Sequence, residues 1–467
     1  MRDFAGAGMR SRRGRATGVA LATVAVMACG GSQKAPKSAG DSTAAAANAT
    51  PKGCDAGNGG ITLPPGFCAS VFADKLDHPR HLVVAPNGVV YVNTWHPRRG
   101  GEGGNNDSAW RGGAIVALRD TTGDGHADVT DSFGDSATAG GHGGTGIALH
   151  GNSLYAEESD RIERYALPSA GIVPAGKPAV IVSGMPLGGN HPMHAFAIDS
   201  SGAIFVEMGS ATNACQVRDR TLHSPGHMPC TELATRGGIW RFDGNRTGQR
   251  FSPSARYATG IRNAVGIAFT PNGELFSTQH GRDQLAGNWP ERYTNEQSAE
   301  LPAEELLHIE KGADYGWPYC YFDGAQKKLM LAPEYGGDGK KEGICATKRG
   351  PVAFFPGHWA PDGLTFYGGS SFPSHYKGGA FIAFHGSWNR APLPQAGYLV
   401  AFVPFDGDTV SAPYEIFADG FAGANKQPDA AAHRPTGVAV GPDGALYISD
   451  DAHGRVWRVT YHGAGGR

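Results

Sequence analysis

Four short loops of this 467-residue chain hold most of the side chains able to do chemistry. Gly188-Gly189-Asn190-His191-Pro192-Met193-His194 carries two imidazoles, and Thr259-Gly260-Ile261-Arg262-Asn263-Ala264-Val265-Gly266 carries a guanidinium beside a carboxamide. His385-Gly386-Ser387-Trp388-Asn389-Arg390 adds an indole, and His433-Arg434-Pro435-Thr436-Gly437 adds another imidazole–guanidinium pair. An imidazole titrates near neutrality, so it can take a proton from a substrate hydroxyl. Guanidinium forks grip carboxylates and stack on flat rings. Brought together, these loops would line a cationic, aromatic-edged pocket suited to a planar polyanion. Each group also has an ordinary structural use. A His in a Gly-rich loop often only ties the loop down, Arg262 and Arg434 can bond backbone carbonyls, and Trp388 can be packing. His142, His194 and His280 compete with His191 for the role of base.

A second candidate lies at Asp120-Thr121-Thr122-Gly123-Asp124-Gly125-His126-Ala127-Asp128-Val129-Thr130-Asp131. Oxygens fall at loop positions 1, 3, 5, 9 and 12 with Gly at 6, the spacing of a calcium loop, which makes Asp120, Asp124, Asp128 and Asp131 candidate ligands. Flanking helices are missing from the pattern, and Asp131 stands where a bidentate Glu is usual. A polar hairpin turn is the competing reading.

The elements that must position these loops announce themselves as a recurring turn followed by a strand. Ala85-Pro86-Asn87-Gly88 precedes Val89-Val90-Tyr91-Val92, and Leu149-His150-Gly151-Asn152 precedes Ser153-Leu154-Tyr155. The pattern returns at Asp199-Ser200-Ser201-Gly202, Thr270-Pro271-Asn272-Gly273 and Gly441-Pro442-Asp443-Gly444, with a stretched copy at Tyr376–Phe384. Pro presets such a turn, Asn or Asp followed by Gly accepts positive φ, and the flanking apolar runs pair as a hairpin. The expected fold is all-β, a six-bladed β-propeller over residues 60–462. Cys68–Phe72 and Arg455–Val459, at opposite ends of the chain, should share one blade and close the ring. One short helix-like stretch stands out at Ala303–Ile309. A β-sandwich also shows strands and Gly-rich turns, but at this length it would be two domains, and no linker divides the chain.

Composition fits this architecture: 71 Gly and only 18% charged residues mark a turn-rich β-protein. A net charge of -2 with no basic patch gives no support for a nucleic-acid partner. Residues 1–28 read as a signal peptide, with Arg10, Arg12, Arg13 and Arg15 before an uncharged run from Ala16 to Ala28. Val26-Met27-Ala28-Cys29-Gly30 resembles a lipoprotein box, so Cys29 is the expected lipid anchor of an exported bacterial protein, periplasmic or held at the outer membrane. Residues 29–59, poor in hydrophobic period, are expected to form a disordered tether. Six further cysteines fall into sequence-local pairs, Cys54 with Cys68, Cys215 with Cys230 and Cys320 with Cys345, which an oxidising compartment would join.

Gly260-Ile261-Arg262-Asn263 through Pro271-Asn272-Gly273, Gly312-Ala313-Asp314-Tyr315-Gly316-Trp317-Pro318, and Phe384-His385-Gly386-Ser387-Trp388-Asn389-Arg390 together resemble the PQQ-dependent (pyrroloquinoline quinone) soluble aldose and sorbosone dehydrogenases. The resemblance runs from about Leu63 to Val459. It implies that His191 is the general base, that Arg262 stabilises negative charge developing on the quinone, that Asn263 holds the cofactor, and that Arg434 pairs with a cofactor carboxylate. It also implies that the backbone carbonyls of Gly281 and Arg282 hold a Ca²⁺ ion. The glucose enzymes carry a cofactor-binding Lys where this chain reads Gly386-Ser387-Trp388-Asn389-Arg390, so Asn389 or Arg390 is expected to stand in, with Trp388 beside them. That departure and the insertion from Gly287 to Pro302 favour the sorbosone-type branch. The implied partners are a small sugar or aldehyde substrate and an external electron acceptor. Two other classes remain open: a metal-dependent lactonase on the same fold, and a propeller that binds glycan or protein without catalysis.

Overall fold

The computed structural model describes residues 53–95, 115–134 and 144–463. The signal segment, Cys29 and His142 lie outside the described residues. Six main sheets make six blades. Blade 1 is Pro79–Val84, Val90–Thr94, Ile115–Arg119 and Val129–Phe133; blade 2 is Ile147–His150, Ser153–Glu158, Arg161–Ala166 and Ala179–Ser183. Blade 3 is Phe196–Ile198, Ala203–Met208, Gly238–Asp243 and Arg256–Thr259, and blade 4 is Ile267–Phe269, Leu275–Gln279, Glu304–His308 and Ala353–Phe355. Blade 5 is Pro361–Phe366, Ala380–Phe384, Leu399–Val403 and Glu415–Ala418. Blade 6 takes Pro435–Val440, Leu446–Asp450 and Arg455–Tyr461 from the end of the chain and Phe67–Ala73 from its start, with Phe67 opposite Tyr461. The expected closure between the two ends is therefore present.

The turn motif folds the same way in four blades. Ala85, Asp199, Thr270 and Gly441 each accept from the turn glycine, Gly88, Gly202, Gly273 and Gly444, at 2.9–3.0 Å. Those four glycines have φ between 79° and 96°, where a side chain would be strained.

The second strand of a blade is buried on both faces because it is sandwiched between neighbouring blades. In blade 5, Ala380, Ile382 and Phe384 pack toward blade 4, while Phe381 and Ala383 pack toward blade 6. Equivalent apolar clusters bridge every other adjacent pair of blades, blade 6 to blade 1 included. The innermost strands likewise touch their neighbours all the way round. Three disulfides form between the expected partners, Cys54–Cys68, Cys215–Cys230 and Cys320–Cys345. Among the described residues, no helix is long and apolar enough to cross a membrane.

Two expectations need correction. Ala303–Ile309 is not helical: Glu304–His308 is the third strand of blade 4, paired with Leu275–Gln279 on one side and Ala353–Phe355 on the other. Ladder pairing on both edges overrides the helix preference of Glu and Leu. The short helices are instead Leu285–Asn288 and Asn295–Glu300, the latter started by a capping box at Thr294 and Gln297. The fold also begins before residue 60. Asp55 accepts from the Val71 N–H at 2.7 Å, and its own N–H donates to Ala69 at 2.8 Å, so the end of the expected tether lies on the outer strand of blade 6.

Candidate active site

Antiparallel pairing decides which loops meet. The start of each inner strand lies opposite the end of the second strand, as Pro79 opposite Thr94, Pro361 opposite Phe384 and Pro435 opposite Asp450 show. Loops that precede inner strands and loops that follow second strands therefore emerge at one end of the ring. His191, Arg262 and Arg434 lie in loops of the first kind, and Gly281, Arg282 and the 385–390 segment in loops of the second.

Ser210 fixes the ring of His191. Its Nδ1 lies 3.0 Å from the Ser210 carbonyl and 2.9 Å from Ser210 Oγ. The carbonyl can only accept, and Ser210 Oγ spends its own proton on the Thr212 carbonyl at 2.7 Å. Nδ1 must therefore carry the hydrogen, which leaves Nε2 with its lone pair in the neutral ring. Burial lowers the pKa of His191 well below its usual value, and the positive charges of Arg262 and His280 push it in the same direction. Gly209 makes the close approach possible: a Cβ there would sit 2.5 Å from that of His191.

Arg262 is held rigidly. Nε donates to the Asn213 carbonyl at 3.0 Å, Nη1 to the Gly281 carbonyl at 3.0 Å, and Nη2 to Asn213 Oδ1 at 3.0 Å and Asp283 Oδ2 at 3.1 Å. One of its five N–H groups, on Nη1, is left over. Asp283 also accepts from Arg220 at 2.8 Å and from Asn389 at 2.7 Å. Burial alone would raise the Asp283 pKa, but Arg262 and Arg220 outweigh it and hold the carboxyl far below the usual range. Trp317 donates to the Asn213 carbonyl at 3.1 Å, so the Tyr-Gly-Trp-Pro segment buttresses the clamp.

A second charged network crosses the axis. Asp362, at the start of the blade 5 inner strand, meets His280 at 3.1 Å and Arg80 at 3.4 Å. Asp451 meets Arg80 at 2.6 Å and His385 at 2.7 Å. Burial opposes ionisation of both aspartates, yet the surrounding cations keep their pKa values far down. Burial also acts against a charged His280, but its bond to Asp362 raises its pKa above the usual value, and that bond occupies its Nε2. His194 is excluded as base by its bonds: Nδ1 lies 3.0 Å from Glu157 and Nε2 3.1 Å from the Pro186 carbonyl.

The remaining expected residues divide. Asn263 is buried, and its carboxamide makes no hydrogen bond among the described residues. Asn389 reaches the clamp through Asp283, and its buried Oδ1 has no partner among the described residues. Trp388 lies beside it, 54% exposed. Arg434 donates to the carbonyls of His385 at 3.1 Å and Gly386 at 2.8 Å and lies over the Tyr398 ring, leaving Nη1 uncommitted. Arg390 does not join this cluster. Its guanidinium is spent on the Ala299 and Gly357 carbonyls and on Glu300, where it ties loops of blades 4 and 5 together.

The donors left over suit a flat polyanion: a spare N–H on Arg262, others on Arg434, and the unpartnered amide of Asn263. That set fits PQQ. The expected calcium ligands fit less well. The Gly281 carbonyl already accepts from the Arg262 guanidinium, so a cation on that oxygen would meet a positive charge. The carboxylates of the Asp120–Asp131 loop bond locally. Asp120 accepts from the N–H groups of Gly123 at 2.6 Å and Gly125 at 2.8 Å, Asp128 from Thr121 at 2.7 Å, Asp124 from His126 at 3.0 Å, and Asp131 from Ser132 at 2.8 Å. Asp120, Asp124 and Asp128 bond within the turn and Asp131 within the strand that follows it, and among the described residues the four do not lie within metal-ligand reach of one another.

Sequence reasoning missed Ser210, Asn213, Asp283, Asp362, Arg80 and Asp451. Of these only Asp283 carried a signal, as the acid directly after Gly281-Arg282; the others acquire meaning only when the ring closes.

The geometry agrees with what the chain is similar to. An uncharacterised protein of Borreliella burgdorferi is 32% identical over 207 residues, 44% of this chain and 48% of that one. A PQQ-dependent pyranose dehydrogenase of Coprinopsis cinerea is 27% identical over 239 residues, 43% of this chain and 30% of the relative. The chain thus spans less than half the length of these curated relatives. The solved PQQ domain of the Coprinopsis cinerea pyranose dehydrogenase, in its holo form, superposes with a TM-score of 0.66 at 20% identity, covering 86% of this chain and 97% of that domain, and so shares the fold. A single family model spans all six blades, from residue 61 to residue 462, and by that match the chain belongs to the TrAA12-like family.

Proposed function

We propose that the chain oxidises a sugar, at a carbon bearing a hydroxyl, with PQQ bound at the axial mouth, and passes the electrons to an external acceptor. The observation that carries this reading is the His191 imidazole, fixed by Ser210 with Nε2 unprotonated beside the Arg262 clamp. PQQ, when bound, supplies a two-electron acceptor for hydride. The chain's own residues do the rest. His191 Nε2 takes the hydroxyl proton as the C–H bond is broken. Arg262, oriented by Asn213 and Asp283, presents a fixed positive charge where negative charge grows. Asn263, Asn389 and Arg434 would hold the cofactor. The same reading makes the substrate an aldose or sorbosone-type compound, and has the chain exported and lipidated at Cys29. Its three disulfides suit an oxidising compartment.

The test is reconstitution. Purified protein is titrated with PQQ, with and without Ca²⁺, and assayed for reduction of an artificial dye across a panel of pyranoses and keto-aldoses. Sugar-dependent dye reduction that requires PQQ supports the proposal. Hydrolysis of lactones without dye reduction, or sugar binding without turnover, would overturn it.

A further inference from the structure

Behind the site, the third strand of blade 4 buries a carboxyl group and leaves half of it unused. Glu305 lies opposite Gln279 in the ladder between the second and third strands. Its Oε1 accepts from Gln279 Nε2 at 2.7 Å, while its buried Oε2 has no partner among the described residues. The carboxamide has only one workable orientation. Gln279 Oε1 accepts from the Arg262 N–H at 2.8 Å, and an N–H can only donate, so the amide nitrogen must face Glu305.

Arg262 passes this fixation on. Its carbonyl accepts from the Ser210 N–H at 2.8 Å, and Ser210 holds the His191 ring. A line of hydrogen bonds therefore runs from Glu305 through Gln279, Arg262 and Ser210 to His191. It reaches the guanidinium and the imidazole through the backbone, whereas Asn213 and Asp283 grip the guanidinium itself.

Glu305 suits this position as an uncharged acid. Burial raises its pKa to about 8, with the bond from Gln279 opposing the rise and the charge of Glu304 adding to it. Among the described residues, Glu304 is the one charged group that acts on it. Glu304 spends its own oxygens on the N–H groups of Gly281 at 2.8 Å and Ala360 at 3.2 Å. The Arg262 guanidinium is committed to Asn213, Gly281 and Asp283. A neutral carboxyl still offers Gln279 its carbonyl oxygen, while an ionised one would be a buried charge with a single neutral donor.

We propose that the uncharged Glu305 carboxyl is a positioning group of the site, fixing the Arg262 backbone through Gln279 and so setting the Arg262 guanidinium and the His191 imidazole. That these two groups act on PQQ and a sugar rests on the function proposed above; the hydrogen-bonded line does not. The test compares the full chain with Glu305→Leu, which removes the acceptor, and Glu305→Gln, which keeps it without a titrating proton. In the cofactor-free protein, amide hydrogen exchange over residues 259–266 should speed up about tenfold or more in Glu305→Leu and stay within about twofold of the parent in Glu305→Gln. PQQ affinity and kcat should each fall about tenfold or more in Glu305→Leu and be kept in Glu305→Gln. The stability readout needs only Glu305→Gln. Between the ordinary glutamate value of about 4.5 and the folded value of about 8, the folded parent holds a proton that the unfolded chain has released, so its stability falls as pH rises. The urea midpoint of Glu305→Gln, relative to the parent, should therefore climb from about pH 5 to about pH 8 and level off above. Unchanged exchange in Glu305→Leu, a Glu305→Gln variant as disrupted as Glu305→Leu, or a midpoint difference that ignores pH overturns the proposal. If exchange and midpoint respond as stated in a protein that neither binds PQQ nor reduces dye, the redox reading is refuted and the role of Glu305 in placing Arg262 stands.

Discussion

Asp283→Asn tests the clamp most directly, because it removes the charge and turns one of two accepting oxygens into a donor. The carboxylate is 12% exposed and accepts from Arg262 at 3.1 Å, Arg220 at 2.8 Å and Asn389 at 2.7 Å. The amide keeps the shape but leaves the Arg262 guanidinium, 4% exposed, without a counter-charge. Breaking a buried pair by neutralising one partner costs about 3–5 kcal/mol. The sign of the pH dependence follows from the depressed Asp283 pKa. Its contribution is fully present above the unfolded value of about 4 and fades as pH falls below it toward the lower folded value. Urea unfolding at pH 7 should therefore show the full loss, and the gap between parent and variant should narrow below about pH 4. The PQQ-loaded variant should also lose turnover, since Arg262 is no longer oriented. A pH 7 difference below about 1 kcal/mol would refute the claim that this carboxylate anchors the site.

Three further outcomes are expected. His191→Ala should lower kcat by about 10²–10⁴-fold while PQQ titrations change little, and it should abolish an acid limb whose midpoint in the parent lies below the ordinary imidazole value, because burial and Arg262 depress it; kcat measured against pH decides this. Asp120→Ala should cost about 1 kcal/mol in thermal or urea unfolding through lost turn caps, equally with and without EDTA, and a loss seen only without chelator would restore calcium to that hairpin. Cys29→Ser should move the protein from the membrane fraction to the soluble fraction, read by fractionation and immunoblot.

The architecture was legible because each blade advertises its hairpin. Asn87-Gly88 and Asp443-Gly444 record a backbone requirement in residue type, and the apolar runs around them record burial on both faces. Glu304–His308 was misread because Ala-Glu-Glu-Leu-Leu favours a helix locally, and only the flanking strands decide otherwise. At the site, His191 and Arg262 were found through resemblance, whereas spacing alone could not separate His191 from His194 or His280. What separates them is tertiary: Ser210 fixes one ring, Glu157 and Pro186 occupy the second, and Asp362 holds the third. Arg80 and Asp451 are 371 positions apart, a distance over which no local pattern reports. Arg390 was a reasonable stand-in for a missing Lys by type, but its reach is consumed by Ala299, Gly357 and Glu300.

The sixth blade has a consequence for biosynthesis. Phe67–Ala73 gains its hydrogen-bonding partner only when Arg455–Tyr461 docks, with Cys68 and Thr460 paired across 392 positions. Until then that apolar ribbon has an unsatisfied edge, the state in which β-chains associate wrongly with one another. The Cys54–Cys68 bond spans only 14 residues and can form without waiting. It would then restrict the ribbon's freedom during the interval, so oxidative maturation and ring completion become successive steps of one assembly line.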